Sequence, residues 1–315
     1  MMPWLYSALG LVVLLLAGDA LVRGAVNLSL RLGVPALIVS LTIVAFGTSA
    51  PELLIAIEAV DDHAPGIALG NVVGSNTANV LLVLGIPALM TGLQTSHCDT
   101  RKNYVFMIVA SLVFVALAFV GTFTLFSGIA LLALLTVVLL IAAREAKAHR
   151  KMSGQADELE DIEEADPNMP YWRIAIYLVL GLIGLPLGAD LLVDNATVIA
   201  RTYGVSETVI GLTLVAVGTS LPELATTVMA ALRQQAEVAL GNVIGSNMFN
   251  LLAIIGIATF IGDIPVADRF MTYDFWVMLG ASLLLVPFVF FKKDITRAWG
   301  IGFSGLYVVY MVSLF

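Results

Sequence analysis

Two carboxylates occupy near-identical surroundings, Glu52 within GTSAPEL (47–53) and Glu223 within GTSLPEL (218–224). A second motif follows each, GNVVGSNTAN at 70–79 and GNVIGSNMFN at 241–250, and every element of the second set stands 171 positions after its counterpart. Half of the chain is therefore a copy of the other half. Beside the carboxylates the motifs supply hydroxyls and amides: Thr48, Ser49, Ser75 and Asn79 in one copy, Thr219, Ser220, Ser246 and Asn250 in the other. Such an oxygen set, with no nitrogen or sulfur donor, suits hard cations such as Ca2+ or Na+ rather than zinc or copper. A lone Ser, Thr or Asn in an apolar span is ordinarily interhelical glue. A carboxylate is different, because placing it near a bilayer centre costs about 2.5–3.5 kcal/mol even on the lenient insertion scale. Two of them at symmetric positions point to a cation site.

Spacing converts into geometry. Thr48 lies four residues and Ser49 three residues before Glu52, so on a helix the three oxygen-bearing side chains share a face. Pro51 and Pro222 cannot donate to the carbonyls of Gly47 and Gly218, and each bends its helix there. Unpaired backbone carbonyls at membrane depth are tolerated only where protein, water or an ion satisfies them. In the second motif Gly70 and Gly74, like Gly241 and Gly245, form small-xxx-small stripes for close helix approach. Ser75 and Asn79, and likewise Ser246 and Asn250, then share one helix face.

Composition sets the solvent in which these elements stand. With 60% hydrophobic and 12% charged residues and a mean hydropathy of +0.99, the chain lies outside the range of soluble domains. Runs of span length fall near 3–25, 34–58, 66–90, 104–121, 124–143, 171–200, 207–232, 238–261, 271–291 and 298–315. The expected fold is an all-α membrane protein of ten transmembrane helices, and the short alternating strands of an outer-membrane barrel are absent. The first run reaches span length without a clean small-residue cleavage pattern and reads as an uncleaved anchor.

With both termini outside, thirteen of the fifteen Lys and Arg residues fall on the cytoplasmic side and only Arg201 and Arg269 outside. Five spans per copy force the second copy to enter from the opposite side. That predicts two inverted-topology repeats, 1–143 and 171–315, with the substrate site at the midplane where they meet. Residues 144–170 read as a cytoplasmic acidic linker holding Asp157, Glu158, Glu160, Asp161, Glu163, Glu164 and Asp166, a solvated tether without the spacing of a calcium-binding loop.

Other polar residues receive blander readings. Asp19 and Asp190 are repeat mates in the first and sixth spans and are assigned a structural or gating role. Asp194, Glu207 and Asp274 lie near span ends and read as solvated. His63, His97 and His149 fall in loops, and the single cysteine, Cys98, reads as an unpaired loop thiol.

The paired GTSAPE and GTSLPE, each with GNVxGSN about twenty residues on, resemble the two alpha repeats of the sodium/calcium exchangers in the cation/calcium antiporter superfamily, in their compact prokaryotic form. The resemblance implies alternating access, with one calcium site flanked by sodium sites, and Ca2+ and Na+ as the transported ions. Carried over by position, Glu52 and Glu223 with backbone oxygens of Thr48 and Thr219 would hold calcium. Ala45, Ser49, Ser75, Ala216, Ser220 and Ser246 would serve sodium along with both glutamates, and Asn79 and Asn250 would fill the remaining corners. Several relatives, including the potassium-dependent branch, carry Asp at the position of Asn250, so its amide implies potassium-independent exchange. The expected location is the inner (plasma) membrane, with the lipid bilayer as surroundings, no cofactor and no nucleic-acid partner. Two rivals stand beside this reading: a proton/calcium antiporter using the same glutamates as proton carriers, and, from another class, an intramembrane enzyme with paired carboxylates.

Overall fold

The computed structural model describes residues 2–152, 166, 168–204 and 216–314, without side chains at 149–152 and 216. The described chain is helical apart from two short pairings. β1 (Thr122–Phe123) runs antiparallel to β2 (Ile264–Pro265), and Leu93 forms an isolated bridge with Ile295. The helices are α1 (Met2–Leu32), α2 (Ala36–Thr48), α3 (Ala50–Asp61), α4 (Pro65–Thr91), α5 (Arg101–Ala118), α6 (Leu125–Met152), α7 (Tyr171–Thr202), α8 (Leu221–Leu232), α9 (Ala236–Ala258), α10 (Phe270–Phe290) and α11 (Arg297–Ser313). A single turn, Ala216–Gly218, precedes α8.

Seven of these helices are long and apolar enough to cross a bilayer, eight if α2 and α3, bent by 42° at their break, count as one. Of the remaining expected spans, 298–315 corresponds to α11, whose 17 residues fall just short of a full crossing. The expected span 207–232 begins outside the described residues, as do Glu207 and most of the acidic linker.

Local chemistry explains where helices stop. α1 runs beyond the expected 25 to Leu32, where Gly33 at φ +65° and Pro35 end it. α6 continues to Met152, nine residues into the segment read as a linker, because Ala, Arg, Glu and Lys propagate a helix past the bilayer without a breaker. His149 is therefore helical and not in a loop. His63 and His97 do lie in connections, His63 in a turn at φ +59°.

α1 and α7 pack antiparallel through small residues. A Cβ at Gly181 would stand 2.6 Å from that of Leu21, and one at Gly188 would stand 2.8 Å from the Leu14 amide nitrogen. Behind them α4 and α9 form the centre. α9 is buried along its whole length, with Val243, Ile244, Met248, Leu251 and Leu252 set against Leu69, Val72 and Val73 of α4 and Met107 and Phe114 of α5 in one core. α6 covers α9 where Gly128 meets Gly256, and α11 covers α4 where Gly300 meets the backbone of Ala88 and Leu89.

Asp274 departs from expectation. A π-helical turn, Phe270–Asp274, directs it inward, where it is 5% exposed and lies 3.4 Å from Arg269. Asp194 is exposed, as expected.

Candidate cation-binding site

The span holding the first carboxylate is broken rather than smoothly bent. α2 ends at Thr48, Ser49 leaves the helix at φ −86° and ψ 5°, and Pro51 stands in the first turn of α3. Ser220 repeats this at φ −89° and ψ 4°, with Pro222 in the first turn of α8. Proline suits the opening turn of a helix, where its missing N–H costs nothing. The break places Glu52 and Glu223 in the first turns of α3 and α8, at the helix ends whose dipole favours negative charge. Both are buried, at 1% and 0% exposure, and Glu52 feels the charge of Glu223.

Because Ser49 leaves the helix, the hydroxyls do not stay with the carboxylate of their own motif. Ser49 Oγ donates to Glu223 Oε1 at 3.2 Å. Thr48 Oγ1 lies 3.3 Å from Asn242 Oδ1, 3.5 Å from Ser246 Oγ and 3.3 Å from the Ala45 carbonyl, and shares its one proton among them. The expected single face with Glu52 is thus replaced by contacts across to the other copy. Thr219 is also engaged, Ala45 is fully buried, and the Ala216 side chain lies outside the described residues.

Amides form the other wall. Asn79 and Asn250 each open a π-helical turn, Asn79–Val83 and Asn250–Ile254, and Ser75 and Ser246 are buried one turn before them. Asn79 Nδ2 donates to Asn247 Oδ1 at 3.1 Å, and Asn76 Nδ2 donates to the Asn247 carbonyl at 3.1 Å. Asn247 in turn points its Nδ2 at Met107 Sδ, 3.7 Å away. Asn242 Nδ2 donates to the Glu223 carbonyl at 3.3 Å and to Thr227 Oγ1 at 3.1 Å. Asn76, Asn242, Asn247 and Thr227 were not singled out from sequence. The signal for the asparagines was present all the same, since GNV and GSN recur in both copies.

Eight buried side-chain oxygens find no hydrogen-bond partner among the described residues, and six of them belong to the repeated motifs: Glu52 Oε2, Glu223 Oε2, Ser220 Oγ, Asn76 Oδ1, Asn79 Oδ1 and Asn250 Oδ1; Ser7 Oγ and Ser304 Oγ are the other two. Native interiors leave few such atoms, each costing about 1–3 kcal/mol and more when charged. Ca2+ is bound by oxygen ligands, so the donors in these motifs suit a hard cation in type. Among the described residues no group of three or more His, Cys, Asp or Glu side chains gathers.

The glycine stripes differ between copies. A Cβ at Gly245 would meet the Leu41 carbonyl at 2.5 Å and the Ala45 Cβ at 2.6 Å, and one at Gly241 would meet the Leu37 carbonyl at 2.9 Å. Close approach is thus required there. Gly70 meets only the Phe270 ring, at 3.9 Å, and Gly74 meets nothing within 4 Å among the described residues. The segment related by repeat to Leu37–Ala45, residues 208–216, falls almost wholly outside them.

Asp19 and Asp190 stay out of the cage. Asp19 accepts from Arg23 Nε at 2.9 Å and from Arg233 Nε at 2.5 Å, while Asp190 is exposed.

Residues 2–144 and 173–315 both match the sodium/calcium exchanger protein family. The chain belongs to that family. Among this exchanger's relatives, the sodium/calcium exchanger MaX1 of Methanosarcina acetivorans is 32% identical over 99% of this chain and 98% of its own. The putative antiporter CaxA of Alkalimonas amylolytica is 34% identical over 90% and 88%. The solved structure of the sodium-calcium exchanger NCX_Mj soaked with 10 mM Na+ and 10 mM Sr2+ superimposes with a TM-score of 0.83 at 31% identity, covering 99% of this chain and 98% of that one. The exchanger is thus an all-α, multi-pass membrane protein and a cation/Ca2+ antiporter of a transporter family.

Proposed function

We propose that the protein exchanges Ca2+ for Na+ by alternating access, at a midplane site built from Glu52, Glu223, Thr48, Thr219, Ser49, Ser220, Ser75, Ser246, Asn79, Asn250, Ala45 and Ala216. The observation that carries this reading is the set of partnerless buried oxygens around two carboxylates drawn from the two copies. Ca2+ and Na+ compete for the same glutamate oxygens. Two unneutralised carboxylates in a low-dielectric centre make reorientation without bound ions costly, so exchange is obligatory.

Ten spans in two inverted repeats are part of the proposal, with both termini outside and 144–170 cytoplasmic. Several features support it. The two family matches are displaced by the same 171 positions as the motifs. α3 and α8 are each 12 residues long and start 171 apart. Their C-terminal turns both pass through a positive φ, 59° at His63 and 55° at Gln234. The repeat mates α1 and α7 pack antiparallel, as inversion requires.

Radiolabelled Ca2+ uptake into proteoliposomes loaded with Na+, choline or K+, at clamped pH and then under a pH gradient, tests the coupling. An outward Na+ gradient alone should drive uptake. Uptake driven only by protons would make the protein a proton/calcium antiporter using the same glutamates. Asn250 leaves two central negative charges, so K+ added on the Ca2+ side should change the rate less than about twofold; a several-fold rise would overturn potassium independence.

A further inference from the structure

The two ends of the bundle carry opposite charge logic at equivalent positions. At the end holding Arg233, Asp19 on α1 lies between Arg23 and Arg233, the latter capping α8, with side chains 19%, 31% and 22% exposed. Here α1 closes on α8. A Cβ at Gly18 would come 3.0 Å from the Ala225 carbonyl carbon, and Ala225 is 6% exposed. Shifting each position by 171 residues gives the other end: Asp19 becomes Asp190, Arg23 becomes Asp194 and Arg233 becomes Asp62. One carboxylate between two guanidiniums is replaced by three carboxylates. That end stands apart in this structure, since Asp62, Asp190 and Asp194 are exposed and Leu54, the mate of Ala225, is 66% exposed.

We propose that Asp19, Arg23 and Arg233 form a latch that holds the cytoplasmic face shut, and that the all-acidic counterpart Asp62, Asp190 and Asp194 opposes closure of the outer face, so the exchanger rests open to the outside. The inference rests on the inverted-repeat reading above. In an inverted repeat, the opposite state sets α7 against α3 as α1 now lies against α8. That movement brings Asp190 and Asp194 toward Asp62, and like charges without a counter-ion repel. Other charges border this end. Glu58 and Asp61 on α3 add to the negative field, His63 follows in the turn, and Arg201 lies seven residues along α7 from Asp194 and eleven from Asp190, about 10 and 16 Å away along the axis. The arrangement assigns positioning residues to transport that touch no ion. They set the balance between the two faces rather than the chemistry of the site.

Pulsed electron-spin distance measurements test it, with nitroxide labels on Ile67→Cys at the start of α4 and Val198→Cys near the end of α7, in a Cys98→Ser background in lipid nanodiscs. The unmodified triads should give one dominant, longer separation. Asp62→Arg, which supplies the missing guanidinium outside, and Arg233→Gln, which breaks the latch inside, should each raise the shorter-separation population about fivefold or more, and together should make it the majority. Asp19→Arg combined with Arg233→Asp restores an ion pair of reversed polarity and should return the distribution to the longer separation. If that pair of reversals behaves like Arg233→Gln alone, or if neither single variant moves the populations in monodisperse protein, the latch is wrong. Sodium-driven Ca2+ uptake by the labelled parent is measured in parallel. Its absence would remove the exchange reading, whereas intact exchange with unmoved distances would remove only the latch.

Discussion

The first fourteen residues of α4 and of α9 are repeat mates, 65–78 and 236–249, and both carry the GNVxGSN motif. Yet thirteen of the fourteen are buried in α9 and eight in α4. Near-equal sequence with unequal burial shows that the difference does not originate in the motif. It comes from what each helix faces: α9 presents Gly241 and Gly245 to the backbone of α2 at under 3 Å, while Gly70 and Gly74 find no such neighbour among the described residues. The segment that stands by repeat where α2 meets α9, residues 208–216, lies almost wholly outside the described residues.

The largest expected effect tests whether the copies are nevertheless equal at the ion. Glu52→Gln and Glu223→Gln should each lower Ca2+ uptake by about 100-fold or more, since losing one charge from a buried ionic contact costs about 2–5 kcal/mol. Size-exclusion profiles should stay monodisperse. Near-normal uptake in either variant would break the two-carboxylate site.

Amide support should divide unevenly. Asn247 holds the Asn79 side chain and contacts Met107, whereas Asn76 donates only to the Asn247 carbonyl. Asn247→Ala should therefore weaken Ca2+-dependent thermal stabilisation about three- to tenfold in apparent affinity, and Asn76→Ala less, in keeping with the ~1–3 kcal/mol cost of an unsatisfied buried group. Equal losses would say that the copies are more alike at this wall than their contacts suggest.

Packing comes next. Gly245→Ala forces a Cβ onto the Leu41 carbonyl and should cost about 1–3 kcal/mol, read as a lower melting temperature in detergent.

The smallest effect concerns Cys98. Burial, with Glu237 and Asp294 nearby, pushes its thiol up to about 12, so at pH 8 it is neutral and unreactive. Cys98→Ser should leave uptake within about twofold, and maleimide at pH 7 should not inhibit the parent.

Much of this was legible in the chain because it is local or repeated. Glu52 and Glu223 stand out against apolar surroundings, the prolines mark where helices restart, and the 171-residue displacement exposes the duplication. Residues whose meaning depends on a distant partner were not legible. Asp274 reads as a solvated span end until a π-helical turn aims it inward toward Arg269. Ser49 reads as a companion of Glu52, three positions away, yet it bonds Glu223, 174 positions away. Asp19 pairs with an arginine 214 positions on, a relation that no helical periodicity encodes.

Hydropathy and motif chemistry thus determined on their own that this is a helical membrane protein of the exchanger kind, with a hard-cation donor set, because these depend on residue type and short spacing. Only the tertiary structure decided which oxygens are left without partners, which glycines are pressed against backbone, and which distant side chains pair. Those properties arise where the two copies meet, and contact between segments more than 170 residues apart is set by packing of the whole chain rather than by any local pattern.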